Sequence, residues 1–300
     1  MNYFLHLGVF VAIYVMLAVG LNVLVGYCGR LSLTHIIFFA VGAYSYAYGQ
    51  LILHWGVAMS VILGLTATFI LSGLFVLTSH RRYGDEYVLI SLALHSVGYS
   101  IIANWYDSTR EFGTFHSFTN GPFGVSGLPA SWLGQALPHM FLGAVAICVL
   151  MVAVTGGVLV APWGRALKAV RDDEGAAQNL GKGALRLHLE AAWLASSLAS
   201  IAGALYTAYV RYIDQGVCDL GQAVLILSMV IVGGVGNLRG PIVGAVALVC
   251  LPEILKFFQL PSASIDSIRL LIYGLALTVL MHFRPHGIVG ARRLGDLLHK

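Results

Sequence analysis

Charge is scarce in this chain: Asp, Glu, Lys and Arg make up 10% of its 300 residues, against about 25% in soluble domains. With 58% hydrophobic residues and a mean hydropathy of +0.84, that scarcity excludes the soluble globular class and marks an integral membrane protein. The opening residues Met1–His6 lack the basic region of a signal peptide, and no small-residue cleavage site follows the apolar run, so this run is expected to stay as a first span. Cys28, Cys148, Cys218 and Cys250 are scattered without a CxxC pair, which leaves them as packing residues. The 11 histidines form no HExxH or other ligand set, so neither a metal nor a cofactor is expected on the chain. The stretch Gly175–Gly183 approaches a phosphate-binding loop, yet it has five residues between Gly175 and Gly181, and Gly183 follows Lys182 where Ser or Thr is needed. Nucleotide binding is excluded on that ground. No catalytic constellation stands in the apolar segments, so an enzyme is not expected. The net charge of +4 reflects where the basic residues lie, and it implies no nucleic-acid partner.

Apolar windows of about 20 residues are present at 4–25, 34–53, 57–78, 86–104, 138–160, 190–211, 220–236, 241–258 and 267–283. The expected fold is all-α: a polytopic transmembrane helix bundle of about eight to ten spans, forming one transmembrane domain over 1–300. Glycine is abundant, 35 residues, as in bundles whose backbones approach closely. Two small-residue faces of the sixth window, containing Ser196, Ser200 and Gly203, and the series Gly236, Gly240 and Gly244 are expected at close helix crossings.

One polar stretch interrupts the apolar sequence. Between 161 and 189, six charged residues (Arg165, Lys168, Arg171, Asp172, Asp173 and Glu174) fall within ten positions. Pro162 suits the first turn of a helix. Ala166, Val170, Ala177 and Leu180 follow a rough helical rhythm, and Gly181 is a C-terminal stop. One or two short amphipathic helices are expected, broken near Gly175, lying at the membrane surface or in a partner's groove. If this loop is cytoplasmic and the spans alternate, 13 basic residues lie inside and 4 (Arg110, Arg211, Lys256 and Arg269) outside. The positive-inside rule then places the N-terminus outside, the C-terminus inside and the 105–137 loop outside.

Among embedded polar groups, Asn22, Ser32, His35 and His95 are candidates for a pathway, and Glu253 is a second embedded ionisable group. The glycine-rich, polar segment Gly26–His35 fits either a re-entrant piece covered by protein or an ordinary short turn.

Several stretches together resemble a known family. Leu21–His35 followed by Phe38, Phe39 and Gly42–Tyr44 resembles the first block of the branched-chain amino-acid ABC importer permeases, M-type subunit. Pro162–Gly181 is similar to that subunit's coupling segment, P-[FW]-G-R-A-[LM]-x-A-[IV]-R-[ED]-x-E-x-A-A-x-x-L-G. Val232–Pro241, Leu251–Glu253 and Phe283–Gly290 complete the likeness in family order. The resemblance implies a permease subunit in a bacterial inner (plasma) membrane. Its partners would be a second, H-type permease, two cytoplasmic ATPases carrying ATP and Mg, and a periplasmic or extracellular solute-binding protein. Gly164, Arg165, Ala166, Arg171, Asp173, Glu174, Ala176, Ala177, Leu180 and Gly181 would couple it to the ATPases. The implied solutes are branched-chain or other aliphatic amino acids, with urea, short amides and other small acids as alternatives. Gly175 departs from the pattern, where a bulkier residue is usual. A different class, an ion-gradient-driven transporter using His95 or Glu253, stays open beside it.

Overall fold

A computed structural model describes residues 2–82, 84–107, 113–114, 117–129, 137–256, 274 and 288. Its helices are α1 (Asn2–Asn22), α2 (His35–Leu51), α3 (Val57–Ser79), α4 (Gly84–Asn104), α5 (Leu137–Val160), α6 (Pro162–Asp172), α7 (Glu174–Asn179), α8 (Ala184–Val210), α9 (Leu220–Gly233) and α10 (Arg239–Lys256). Among the described residues, pairing of extended backbone is confined to two isolated bridges, Thr114 with Ser117 and Val125 with Ile213. The fold is thus the expected all-α bundle. The window at 267–283 lies outside the described residues except for Gly274.

Among the described residues, five helices are long and apolar enough to cross a membrane: α1 with its extension to Tyr27, α3, α4, α5 and α8. Their burial separates centre from periphery. In α1 and α8, 72% of the apolar window is buried, against 22% in α4 and α5. Mainly apolar helices with one covered side suit a lipid-facing ring, because lipid tails solvate Leu and Val as well as a protein core does. The centre is α1, α2 and α8. There the predicted small faces meet: a Cβ on Gly42 would lie 2.5 Å from Ser200 Cα, and one on Gly203 would strike the Phe39 carbonyl. Ser196 Oγ donates to Ser72 Oγ of α3 at 3.2 Å. α9 and α10 form a second close pair, in which a Cβ on Gly244 would collide with the Met229 carbonyl and one on Gly240 with the Gly234 carbonyl.

The central helices are discontinuous at both ends of the bundle. At one end α1 passes into a π-helical turn, Val23–Tyr27, and the chain then turns back. His35 at the start of α2 has its Nε2 3.2 Å from the Leu17 carbonyl, roughly ten residues and so about 15 Å back along α1. The connector between them therefore climbs into the bundle, which selects the re-entrant reading of Gly26–His35. α4 covers its backbone: Leu33 N–H donates to Ser91 Oγ at 3.3 Å and Thr34 Oγ1 to the Ser91 carbonyl at 2.9 Å.

At the other end the segment after α8 re-enters in the opposite direction. Ile213 pairs with Val125, a 3₁₀ turn follows at Gln215–Cys218, and the Cys218 carbonyl meets His95 Nε2, midway along α4, at 3.0 Å. α9 begins at this depth. Its 14 residues span only about 21 Å of a hydrocarbon layer about 30 Å thick. Such short pieces survive at membrane depth because protein covers their ends.

Candidate functional site at the charged end of the bundle

The interrupting polar stretch folds at the end where α1 breaks. Ala161 is extended and Pro162 opens α6, where a missing N–H has no consequence. Gly164 is buried, and a Cβ there would strike the Leu159 backbone, so α6 folds tightly back over the end of α5. Leu167 and Val170 are buried on the same side. The helix stops at Asp173 rather than near Gly175. Asp173 takes φ −154° and ψ 105°, and its side chain accepts the Ala176 N–H to cap α7, the ordinary chemistry of an Asp N-cap. Gly175 sits harmlessly in the first turn of α7. Ala177 is buried, Leu180 ends the helix and Gly181 turns the chain at φ 77°.

The two faces of this bent pair do different things. Its inner face holds the broken end of α1. Arg171 Nη1 donates to the Gly26 carbonyl at 2.6 Å, and the Arg171 stem lies against Gly29, whose φ of 75° and lack of a Cβ allow the contact. The Lys168 ammonium stands 4.7 Å from the Tyr27 ring centroid, a cation–π contact. Glu174 Oε2 is 3.7 Å from Arg30 Nη2, and Arg30 also donates to the Ser79 carbonyl at 3.4 Å and the His80 carbonyl at 3.1 Å. Asn22 closes the joint from behind: it accepts the Gly236 N–H at 3.0 Å and donates to the Asn237 carbonyl at 3.1 Å. Trp163 Nε1 donates to Glu190 Oε2 at 2.7 Å, and Arg186 Nε to Glu190 Oε1 at 2.8 Å, strapping α6 to the start of α8. A single block thus links the ends of α1, α3, α6, α7, α8 and the α9–α10 turn.

Cys28 lies inside this block. Burial pushes its thiol up to about 12; the Arg30 guanidinium opposes the shift and the Glu174 carboxylate adds to it. All four cysteines are free thiols, three of them buried, as packing residues should be.

The outer face carries Arg165, Asp173, Ala176, Leu180 and Gly181, all exposed, with Ala166 half-buried between the faces. Leu180 is 81% exposed. The sequence-derived coupling set is therefore divided: Gly164, Arg171, Glu174 and Ala177 face the bundle, and the others face away. The pathway candidates are not gathered into one wall. Asn22 ties the α1 break to the α9–α10 turn, Ser32 is buried in the connector, and His35 and His95 each hold a carbonyl at a different discontinuity. Arg30, which is not among the candidate site residues read from the sequence, is a centre of the joint. Its signal was a lone cation beside two glycines in Gly26–Arg30.

The described residues thus form a helix bundle with several candidate membrane spans and a braced charged appendage. The chain belongs to the family described as branched-chain amino acid transport system / permease component, whose model matches residues 3–281. It is 28% identical to the high-affinity branched-chain amino acid transport system permease protein LivM of Salmonella typhimurium, over 94% of this chain and 68% of the relative. It is 26% identical to the Escherichia coli protein of the same name, with the same coverage. It is also 21% identical to a probable branched-chain amino acid transport permease protein LivM of Methanocaldococcus jannaschii, over 77% of this chain and 67% of the relative. No solved structure gives a significant match.

Proposed function

We propose that this chain is the transmembrane permease subunit of an ATP-binding-cassette importer for branched-chain or other small aliphatic amino acids. It would reside in a bacterial inner (plasma) membrane with its charged end cytoplasmic and its N-terminus outside. The observation that carries the reading is the two-faced α6–α7 pair. Its inner face is fastened to the α1 break, and its outer face presents Arg165, Asp173, Ala176 and the projecting Leu180 to whatever lies beyond the membrane. A motor that rocks a bundle between two states needs such a rigid contact. ATP and Mg would be held by two partner ATPases. A second, H-type permease would complete the transmembrane unit, and a solute-binding protein would deliver the amino acid from outside. Family membership supports the solute class over urea, short amides or other small acids.

Purification in mild detergent, with mass spectrometry of what accompanies the chain, tests the assembly. The expected companions are one further permease and ATPases with phosphate-binding loops; recovery of a folded, transport-competent chain alone would overturn the reading. His95, one of the two residues with Glu253 on which a gradient-driven alternative rests, holds the Cys218 carbonyl, a structural task that lends its part in that alternative no support.

A further inference from the structure

A cavity of about 280 Å³ lies inside the bundle where the Arg211–Asp219 segment passes α1 and the start of α2. Its walls come from the middle of α1, the first turns of α2 and α9, and the Arg211–Asp219 segment. Ile13, Leu17 and Phe39 supply an apolar side, and Tyr14, Asp214 and Gln222 a polar one. We infer that this cavity is a solute site on the permease itself, in which Asp214 takes the ammonium group of a small aliphatic amino acid and Gln222 its carboxylate. The inference rests on the importer reading and gives it a site.

The polar side is built for a guest. Among the described residues no cation pairs with Asp214 and no donor bonds its carboxylate, although Asp214 is not fully exposed. An ionisable group at such depth is costly without a partner and marks a functional position. Gln222 Oε1 accepts from the Tyr14 hydroxyl at 3.3 Å, which fixes the amide and leaves its NH₂ to donate. The buried Tyr44 hydroxyl, within electrostatic reach of Asp214, also has no hydrogen-bond partner in the described structure. A negative group and an amide donor on one wall, opposed by aliphatic and aromatic side chains, match a zwitterion with an apolar side chain. The cavity falls just below the size range of drug-sized ligand pockets, roughly 300–1,000 Å³, which suits a molecule of amino-acid size. Transport sites recur near the bilayer midplane where helices are interrupted, and this cavity lies against the Arg211–Asp219 interruption and the first turn of α2.

The test uses the full chain in membranes, with Val217→Cys as a reporter on the cavity wall and the four native cysteines replaced. L-Leucine and 3-methylbutylamine should each slow methanethiosulfonate labelling of the reporter by about fivefold or more, as expected for a site mostly occupied by ligand. 4-Methylpentanoate, which lacks the ammonium group, should not. Asp214→Asn should abolish protection by both amines and Asp214→Glu should keep it, while Gln222→Leu should weaken protection by leucine and spare that by the amine. Labelling unaffected by leucine, or protection that survives Asp214→Asn, would overturn the site. Uptake of radioactive leucine by the assembled importer is read separately. Protection without ATP-dependent uptake would retain the site and refute the importer reading, whereas uptake without protection would do the reverse.

Discussion

The molecule interrupts its central helices twice, and the two interruptions are finished differently. At the charged end the break is tied down at several points: Arg171 on the Gly26 carbonyl, Arg30 on α3 and Glu174, Asn22 on the α9–α10 turn. At the other end the Arg211–Asp219 segment is pinned by Val125 and His95, yet it presents Asp214 with neither cation nor donor among the described residues. Several ties to backbone carbonyls and amides suit a stiff body that moves as one piece, whereas a carboxylate without a partner beside an apolar wall suits contact with a small molecule. On the proposed importer reading, force transmission would belong to one end and solute contact to the other.

The stiffness of the charged end breaks first at Gly26. A Cβ there would collide with Asn22 Oδ1 and lie 2.5 Å from the Gly236 nitrogen, so relief requires moving backbone in the π-helical turn or in the α9–α10 turn. Gly26→Val should cost about 3 kcal/mol of bundle stability, the upper part of the usual overpacking range, read as a shifted denaturation midpoint in detergent. A value within experimental error of zero would mean that the joint is soft.

Next in size is Arg171. Its inner partner is a carbonyl, not a carboxylate, so Arg171→Glu removes a charge-assisted bond worth about 1.5–3 kcal/mol and leaves a repulsion. ATP-driven uptake should fall by about tenfold or more, as such a loss implies, with insertion retained. Combining it with Glu174→Arg should not restore uptake, because the two side chains do not pair with each other. Exchange of Arg30 and Glu174 is the contrasting case. Their mutual coupling in a double-mutant cycle should be about 1 kcal/mol, in keeping with a partly screened pair. Rescue by the Arg171–Glu174 exchange would contradict the geometry of the joint.

The sequence made the stiff end far more legible than the other. Pro162, Gly181 and the density of charge expose α6–α7, and the apolar windows give every described long helix, because both signals are local. The π turn at Val23–Tyr27 is invisible locally, since Val-Leu-Val-Gly-Tyr is as apolar as the helix it ends, and Asn22 becomes informative only once Gly236 is beside it. The sequence points to a break near Gly175 because glycine is the stronger generic breaker, whereas the break lies at Asp173, whose capping bond depends on backbone direction. Asp214 and Gln222 reads as loop and helix start. Their shared cavity is created by Tyr14, about two hundred residues away in sequence, and no spacing rule connects them.

Cys28 offers a smaller test of the same contrast, without altering any bond of the joint. Its pKa near 12, against about 8.5 for a free thiol, means that the reactive thiolate is withheld throughout the neutral range and emerges as pH rises. Its labelling rate should therefore climb about tenfold per pH unit from 7 to 10, without the plateau a normal thiol shows above pH 9. Arg171→Ala, by loosening the lid over Gly29, should raise the rate at every pH. A plateau near pH 9 in the native chain would show a joint open to water.

The smallest effect on the bundle is expected at Leu180. Its side chain is 81% exposed, so Leu180→Ala should change stability by no more than about 0.5 kcal/mol, the range of ordinary surface substitutions. An apolar side chain at the tip of a charged, solvent-facing segment is nevertheless where a partner's pocket would gain contact area, and central apolar anchors carry a disproportionate share of binding energy. Leu180→Ala should therefore reduce ATPase recovery in detergent pull-downs while leaving the melting behaviour and the Cys28 labelling rate of the chain unchanged. That separation is the sharpest form of the comparison within α6–α7: inner-face changes at Arg171 should alter Cys28 labelling, and outer-face changes at Leu180 should alter partner retention alone. If Leu180→Ala speeds Cys28 labelling in the isolated chain, the two faces are not independent, and the pair serves as an internal brace rather than a bridge to a partner.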